Sequence, residues 1–294
     1  MIYIIFIIIF NTYLFLLIKK KYIKKRKFKI INDNCEIIKK NIGGGKKIIV
    51  VKNFIKLFRK TLNYYFVNKN NTVRDNSSYP GTRVYIPEEL EAEIKNFMIL
   101  INRKYYKIKG EILSFDTTFS ITDMKKEDFN LPLGIPHQDN IIGPGLAMTL
   151  YLCEKNPKYG GTMMYDFKNE QAKYEYYEFN GTILKDIQDN PFSYDITKKY
   201  FKLLHNEELE INKAVIYPCS YWHIANIIPD NYKENKNRLT ITAFISFYDD
   251  SVNGKRTNLD KNDKQINQEI NYKNQMEYYY PLDKKILTKT NFYL

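Results

Sequence analysis

From residue 111 onward the chain breaks into short apolar or alternating runs, and this texture restricts its fold more than any other feature. The runs "EILSFDTTFSIT", "GLAMTLYL", "GGTMMYDF", "KAVIYPCS" and "RLTITAFISFY" are separated by Gly, Pro, Asn and Asp. Such spacing predicts an all-β sandwich or barrel. Upstream, the β-branched run in "KKIIVVKNFI" predicts a strand over 48–52 that leads into a helix. "YIPEELEAEIKNFMILINRKYY" predicts a helix from about residue 87. Pro87 suits the first turn, where its missing N–H costs nothing, and the early glutamates suit the positive end of the helix dipole.

The N-terminus has a different character. Residues 1–18, "MIYIIFIIIFNTYLFLLI", carry no charge, and "KKKYIKKRK" follows at 19–27. A helix of that length spans about 27 Å, enough for the hydrocarbon core of a bilayer. A secretory signal places its positive charge before the apolar run, whereas here it comes after. The expectation is a single transmembrane helix with the basic flank, and everything beyond it, on the cytoplasmic side. The flank can also attract anionic headgroups. The expected organisation is a membrane anchor (1–18), a basic juxtamembrane linker ending in "NIGGGKK" (19–46), one folded domain (47–250) and a peripheral tail (251–294).

The net charge of +13 resembles a nucleic-acid signal, but its distribution argues otherwise. Residues 1–60 hold 16 Lys and Arg against 2 acidic residues, and the remaining 30 basic residues face 31 acidic ones. A nucleic-acid-binding domain carries the charge itself, so nucleic acid is disfavoured as a partner of the folded domain. Cys35, Cys153 and Cys219 lie far apart with no CxxC spacing, which fits a reducing compartment.

The chain has three histidines. His137 stands in "GIPHQDN", two residues from Asp139, and alone it is a weak sign of a metal site, because chance pairs of this kind are common in polar loops. The stretch from Tyr217 to Tyr248 brings His223 just after a strand and Arg238 at the head of the last apolar run. Residues i and i+2 of a strand face the same way, so His137 and Asp139 can converge, and His223 completes two histidines and one carboxylate. That ligand set, with open positions left over, is the facial triad of non-haem Fe(II) oxygenases. A bidentate 2-oxoacid and dioxygen suit the open positions. Arg238 can clamp a distal carboxylate, with Thr240 adding a hydroxyl from the same strand face.

On these residues the chain resembles the 2-oxoglutarate/Fe(II)-dependent dioxygenases of the prolyl-4-hydroxylase type. The order is "HQD" at 137–139, "LYLCEKNPKYGGTMMYDF" at 150–167, His223, then "RLTITAFISF" at 238–247. "IIVVKNFI" and "YPGTRVYIPEEL" resemble, more weakly, an uncharacterised branch of such proteins. The resemblance implies a mainly β fold, a double-stranded β-helix (jelly roll) core flanked by N-terminal helices. It also implies Fe(II) on His137, Asp139 and His223, with 2-oxoglutarate and O2 as cosubstrates and ascorbate as a candidate accessory reductant. Tyr151 takes the place of the strand tyrosine that meets the cosubstrate carboxylate, and Thr162 and Tyr165 fall among pocket-lining positions. The interval from His223 to Arg238 is longer than in the family, through the polar insert "PDNYKENKN", and Cys153 stands where the family often has Asn.

The implied activity is hydroxylation of a C–H bond with release of succinate and CO2, on an unidentified protein side chain or small molecule. The carboxylate ligand argues against halogenation, which needs that position for halide. A cupin-like metalloenzyme using no 2-oxoacid and an inactive membrane-tethered binding module are the alternatives. His205 reads as a solvated surface histidine. Trp222 reads as a core aromatic before a substrate contact, while Tyr151 is balanced between core and pocket.

Overall fold

The computed structural model describes residues 29–71, 81–122, 135–139, 143–153, 160–178, 195–227 and 238–248. The expected membrane segment 1–18, the basic cluster 19–27, the insert 229–237 and the tail 251–294 lie outside the described residues. Among the described residues, no helix is long and apolar enough to cross a membrane.

The described chain is mainly β with few helices. In order it forms β1 (Glu36–Gly43), β2 (Lys46–Lys52), α1 (Phe58–Asn68), β3 (Thr82–Tyr85) and α2 (Glu88–Ile101). There follow β4 (Glu111–Thr122), β5 (Gly145–Tyr151), β6 (Thr162–Phe167), α3 (Glu170–Glu178) and α4 (Asp195–Tyr200). The last strands are β7 (Phe201–Glu207), β8 (Lys213–Pro218), β9 (Trp222–Ala225) and β10 (Arg238–Tyr248). The expected strand over 48–52 and its following helix correspond to β2 and α1. The expected helix from residue 87 is α2, with Glu88, Glu89 and Glu91 in its first turn.

The strands make two antiparallel sheets. The larger runs β1-β2-β8-β5-β10-β4-β3 and the smaller β7-β6-β9. Alternation along β5 shows how the large sheet divides its side chains. Leu146, Met148 and Leu150 face an outer core with Leu90, Ile94, Phe97, Met98 and Ile101 of α2. Ala147 and Tyr151 face inward with Ile48, Val50, Val215 and Tyr217, against Met164 of the small sheet. The outer face of the small sheet carries a third core, in which Phe167, Tyr176, Tyr200, Phe201 and Trp222 pack together. The Trp222 ring lies 5.2 Å from Phe167 and 5.3 Å from Phe201, so it is a core aromatic. Because neighbours on a strand point oppositely, an outward Trp222 turns His223 inward.

The linker expected over 19–46 needs correction. Residues from Glu36 form β1, an edge strand paired with β2. The triple glycine is the turn between them, with φ of +93°, +58° and +71° at Gly43, Gly44 and Gly45. Three consecutive left-handed residues demand glycine, which mimics linker composition while specifying a tight hairpin. The lysines of β1 fit an edge strand, where charge discourages further pairing. Ile31 is fully buried and bridges Ile55, so the fold begins well before residue 47.

One ionic cluster ties β1, β7 and β8 together. Glu207 is buried and accepts from Lys213 Nζ at 2.7 Å, Lys40 Nζ at 2.7 Å and His205 Nε2 at 2.9 Å. His205 is therefore a half-buried partner of Glu207 and not a solvated surface residue. Burial alone would raise the Glu207 pKa, but the hydrogen bonds from Lys213, Lys40 and His205 outweigh it and bring it down to about 2. A carboxylate depressed in the folded state adds stability above its unfolded value of 4.5 and loses it as pH falls toward 2. Glu207→Gln is expected to lower stability by about 3 kcal/mol near neutrality, because Lys213 stays buried without its anion. The variant's stability, followed by chemical unfolding across that acid window, should also be less pH-dependent than that of the parent.

Candidate metal centre

The inward face of the small sheet brings the two histidines together through the backbone. His137 N–H donates to the His223 carbonyl and His223 N–H to the His137 carbonyl, both at 2.9 Å. This reciprocal bridge sets the two rings 4.5 Å apart. Two residues further, Asp139 N–H donates to the Cys219 carbonyl at 3.0 Å, which holds its side chain on the same side. One ligand atom from each of His137, Asp139 and His223 lies within 4.8 Å of the others.

The donor chemistry of this cluster fits a divalent cation. Each ring has a carbonyl two residues upstream as partner: His223 Nδ1 meets the Tyr221 carbonyl at 2.9 Å and His137 meets that of Ile135. A ring N–H donated to a carbonyl leaves the other nitrogen as a lone-pair donor, the usual outer support of a metal-bound histidine. His223 Nε2 lies 3.5 Å from Asp139 Oδ1. Asp139 Oδ2 is buried and has no hydrogen-bond partner among the described residues. A buried, unsatisfied carboxylate oxygen costs about 1–3 kcal/mol, and a shared cation relieves it.

Electrostatics treat the two rings differently. His137 is exposed as a residue, yet the protein packed around its ring, followed by the nearby His223, lowers its pKa to about 4. The ring is thus neutral at physiological pH, the form that binds metal. For His223, burial opposes the cation, but Asp139 and the Tyr221 carbonyl prevail and the pKa rises. Burial, then the Asp139 charge, push the Tyr217 and Cys219 acid groups well up, keeping both protonated. Tyr217 escaped the sequence reading. Its ring lies 4.8 Å from that of His223 and its hydroxyl bonds Thr149. The alternation of "KAVIYPCS" places it inward with Val215, a signal indistinguishable from that of ordinary core.

Register brings the other candidates onto one inner face. Tyr151 of β5 pairs directly with Thr240 of β10, and Arg238 lies two residues before Thr240. All three are buried. Arg238 Nε donates to the Gly160 carbonyl at 2.8 Å, and its guanidinium stands 5.8 Å from the Tyr151 ring centre. Among the described residues no carboxylate pairs with Arg238. The Tyr151 hydroxyl is 2.7 Å from Thr162 Oγ1, while Thr240 Oγ1 donates to the Ser120 carbonyl at 3.2 Å. Burial raises the Tyr151 pKa, partly offset by Arg238.

The Gly160-Gly161 step serves this arrangement. Gly160 has φ +103°, and a Cβ on Gly161 would stand 2.1 Å from the Glu207 carbonyl. Tyr165 departs from expectation: it packs in the outer core of the small sheet, its hydroxyl 3.4 Å from Met163 Sδ, and does not face the inter-sheet space. The shift in pairing between Met164 and Tyr165 accompanies that placement. Asp166 pairs with Lys46 at 2.8 Å.

The model of a family described as "Family of unknown function (DUF6445)" matches residues 33–245, most of the chain. Comparison with curated proteins finds no match. Among solved structures, the chain is similar to the non-heme alpha ketoglutarate dependent carbocyclase SnoK from nogalamycin biosynthesis. The identity is 12% and the TM-score 0.40, over 68% of this chain and 79% of that one. It is also similar to a prolyl 4-hydroxylase from Phytophthora capsici, at 13% identity and TM-score 0.37, over 78% and 68% respectively. A third likeness is to EvdO2 from Micromonospora carbonacea var. aurantiaca complexed with 2-oxoglutarate. There the identity is 11% and the TM-score 0.34, over 72% and 94%.

Replacing His137 or Asp139 by Ala is expected to abolish one-to-one binding of Fe(II), or of Co(II) as a spectroscopic probe, while the near-ultraviolet circular dichroism stays that of the parent. Gly161→Ala is expected to destabilise the fold by about 2 kcal/mol in thermal unfolding, because its Cβ meets backbone and not a movable side chain.

Proposed function

The chain belongs to the DUF6445 family, and we propose that it is a 2-oxoglutarate- and Fe(II)-dependent dioxygenase built on a double-stranded β-helix core. Its proposed reaction hydroxylates a C–H bond of a protein side chain or small molecule, with 2-oxoglutarate and O2 converted to succinate and CO2. The observation that carries this reading is the pairing of two buried needs. Three converging donors include an unsatisfied Asp139 oxygen, and a buried guanidinium pairs with no carboxylate among the described residues.

His137, Asp139 and His223 would hold Fe(II), and iron bound there would supply the oxidising power, with ascorbate as an accessory reductant. The carbonyls of Ile135 and Tyr221 keep the ring N–H groups occupied, so the opposite nitrogens remain donors. Asp139 contributes negative charge that a dication neutralises. Arg238 would receive the distal carboxylate of 2-oxoglutarate, because the Gly160 carbonyl engages Nε, no carboxylate among the described residues pairs with the guanidinium, and its planar fork matches a planar anion. Tyr151 and Thr162 bring two hydroxyl hydrogens and use one between them, which leaves one to donate. Thr240 would have to exchange its bond to the Ser120 carbonyl to join them. Inward placement of these groups between packed sheets excludes water and strengthens each contact. Residues 1–18 and the basic flank would hold the enzyme to a membrane, facing the cytoplasm.

Succinate release tests the reading. The full chain supplied with Fe(II), 2-oxoglutarate, ascorbate and O2 is expected to form succinate, and His137→Ala or Asp139→Ala to reduce this to background. Removing one partner of a buried charge contact costs about 3 kcal/mol, so Arg238→Ala should weaken 2-oxoglutarate binding about hundredfold and leave metal binding intact. Metal binding without 2-oxoglutarate consumption would point instead to a cupin-like enzyme, and no metal binding to a tethered module.

A further inference from the structure

Helix α1 has a surface that the metal centre does not use. Thr61 and Tyr65 bury one side of it. The opposite side presents Arg59, Lys60, Asn63, Phe66 and Val67, all exposed, with Lys56 and Leu57 just before the helix and Lys69 just after it. Phe66 is 57% and Val67 81% exposed. These residues recur at helical spacing, so basic and apolar side chains share one face. No Asp or Glu occurs between residues 37 and 74. Cationic side chains alongside an exposed Phe form the pattern of a helix lying in a membrane interface.

The path of the chain explains why that face should meet a bilayer. Asn32 N–H donates to the Phe54 carbonyl at 2.8 Å and Lys56 N–H to the Ile30 carbonyl at 2.9 Å. The incoming chain therefore runs antiparallel to residues 54–56 and reaches Lys29 beside the start of α1. The Glu93 carboxylate fixes this exit by accepting the N–H groups of Lys29, Ile30 and Ile31 at 2.6, 2.9 and 2.9 Å. Glu89 is taken up by Lys29 at 3.0 Å. From here, residues 19–28 lead back to the uncharged segment, a reach of roughly 15–35 Å from helical to extended. A tether of that length keeps α1 at high effective concentration next to the membrane surface.

We propose that the exposed face of α1 docks on an anionic phospholipid bilayer beside the exit of the N-terminal segment, Arg59, Lys60 and Lys69 meeting headgroups and Phe66 and Val67 entering the interface. The proposal rests on reading residues 1–18 as a membrane segment and is independent of the dioxygenase reading. Docking would fix the orientation of the fold relative to the bilayer, where a tether alone would leave it free to rotate.

The test uses the full chain in nanodiscs of phosphatidylcholine alone or with phosphatidylserine, read by amide hydrogen exchange over 57–68. Exchange there is expected to slow about fivefold or more in the anionic discs, the factor contributed by each basic residue at such a surface. Strands β5 and β10 serve as an internal control and should exchange alike in both. Arg59→Glu with Lys60→Glu should remove the difference, and Phe66→Ser with Val67→Ser should reduce protection in the anionic discs. Equal exchange in both bilayers would overturn the proposal. So would protection that follows chain concentration and not lipid, which marks a second copy as the occupant, or failure of the chain to enter discs at all.

Discussion

Two backbone hydrogen bonds between His137 and His223 hold the rest of this arrangement in place. They join a short segment far from β9 in sequence to that strand, and they set the distance between two imidazoles without spending a side chain on it. Once His223 points inward, Trp222 must point outward, and it does so into an aromatic core that makes the alternative register costly. The carbonyls of Ile135, Cys219 and Tyr221 complete the support. The donors are thus positioned by backbone, which varies little in geometry, while their side chains carry the chemistry.

The space between the sheets contains two kinds of buried charge, handled differently. Lys213 is neutralised by Glu207, which also gathers Lys40 and His205, so that corner is a closed ionic cluster joining three strands. Arg238 rests on a carbonyl and an aromatic face instead. Asp139 likewise has one oxygen without a partner among the described residues. Buried polar groups are as a rule hydrogen-bonded, so among the described residues Arg238 and Asp139 stand apart from the closed Glu207 cluster.

Much of this was legible beforehand because local chemistry spoke for it. Pro87 with its trailing glutamates marked a helix start, and the punctuated runs after residue 111 marked strands. Other features misled for physical reasons. Glycines at 43–45 have the composition of a flexible tether, yet three positive φ values in succession make a hairpin that only the partner strand reveals. Tyr165 looked like a pocket residue from its place after Gly160-Gly161, but a slip in pairing at Met164 accompanies its turn into the outer core. His205 gave no hint of Glu207, because a pair two apart on an edge strand reads as solvated charge until a second strand covers it.

By itself, then, the order of residues determined the strand-rich class, the start of α2 and a candidate donor set, because periodicity, helix-start chemistry and side-chain chemistry are local properties. Only the tertiary structure decided which face each donor takes, that His137 and His223 exchange backbone bonds, and that Arg238, Thr240 and Tyr151 share a register. Those outcomes depend on strand pairing between distant segments, where a shift of one residue reverses every side chain and no local signal reports the choice.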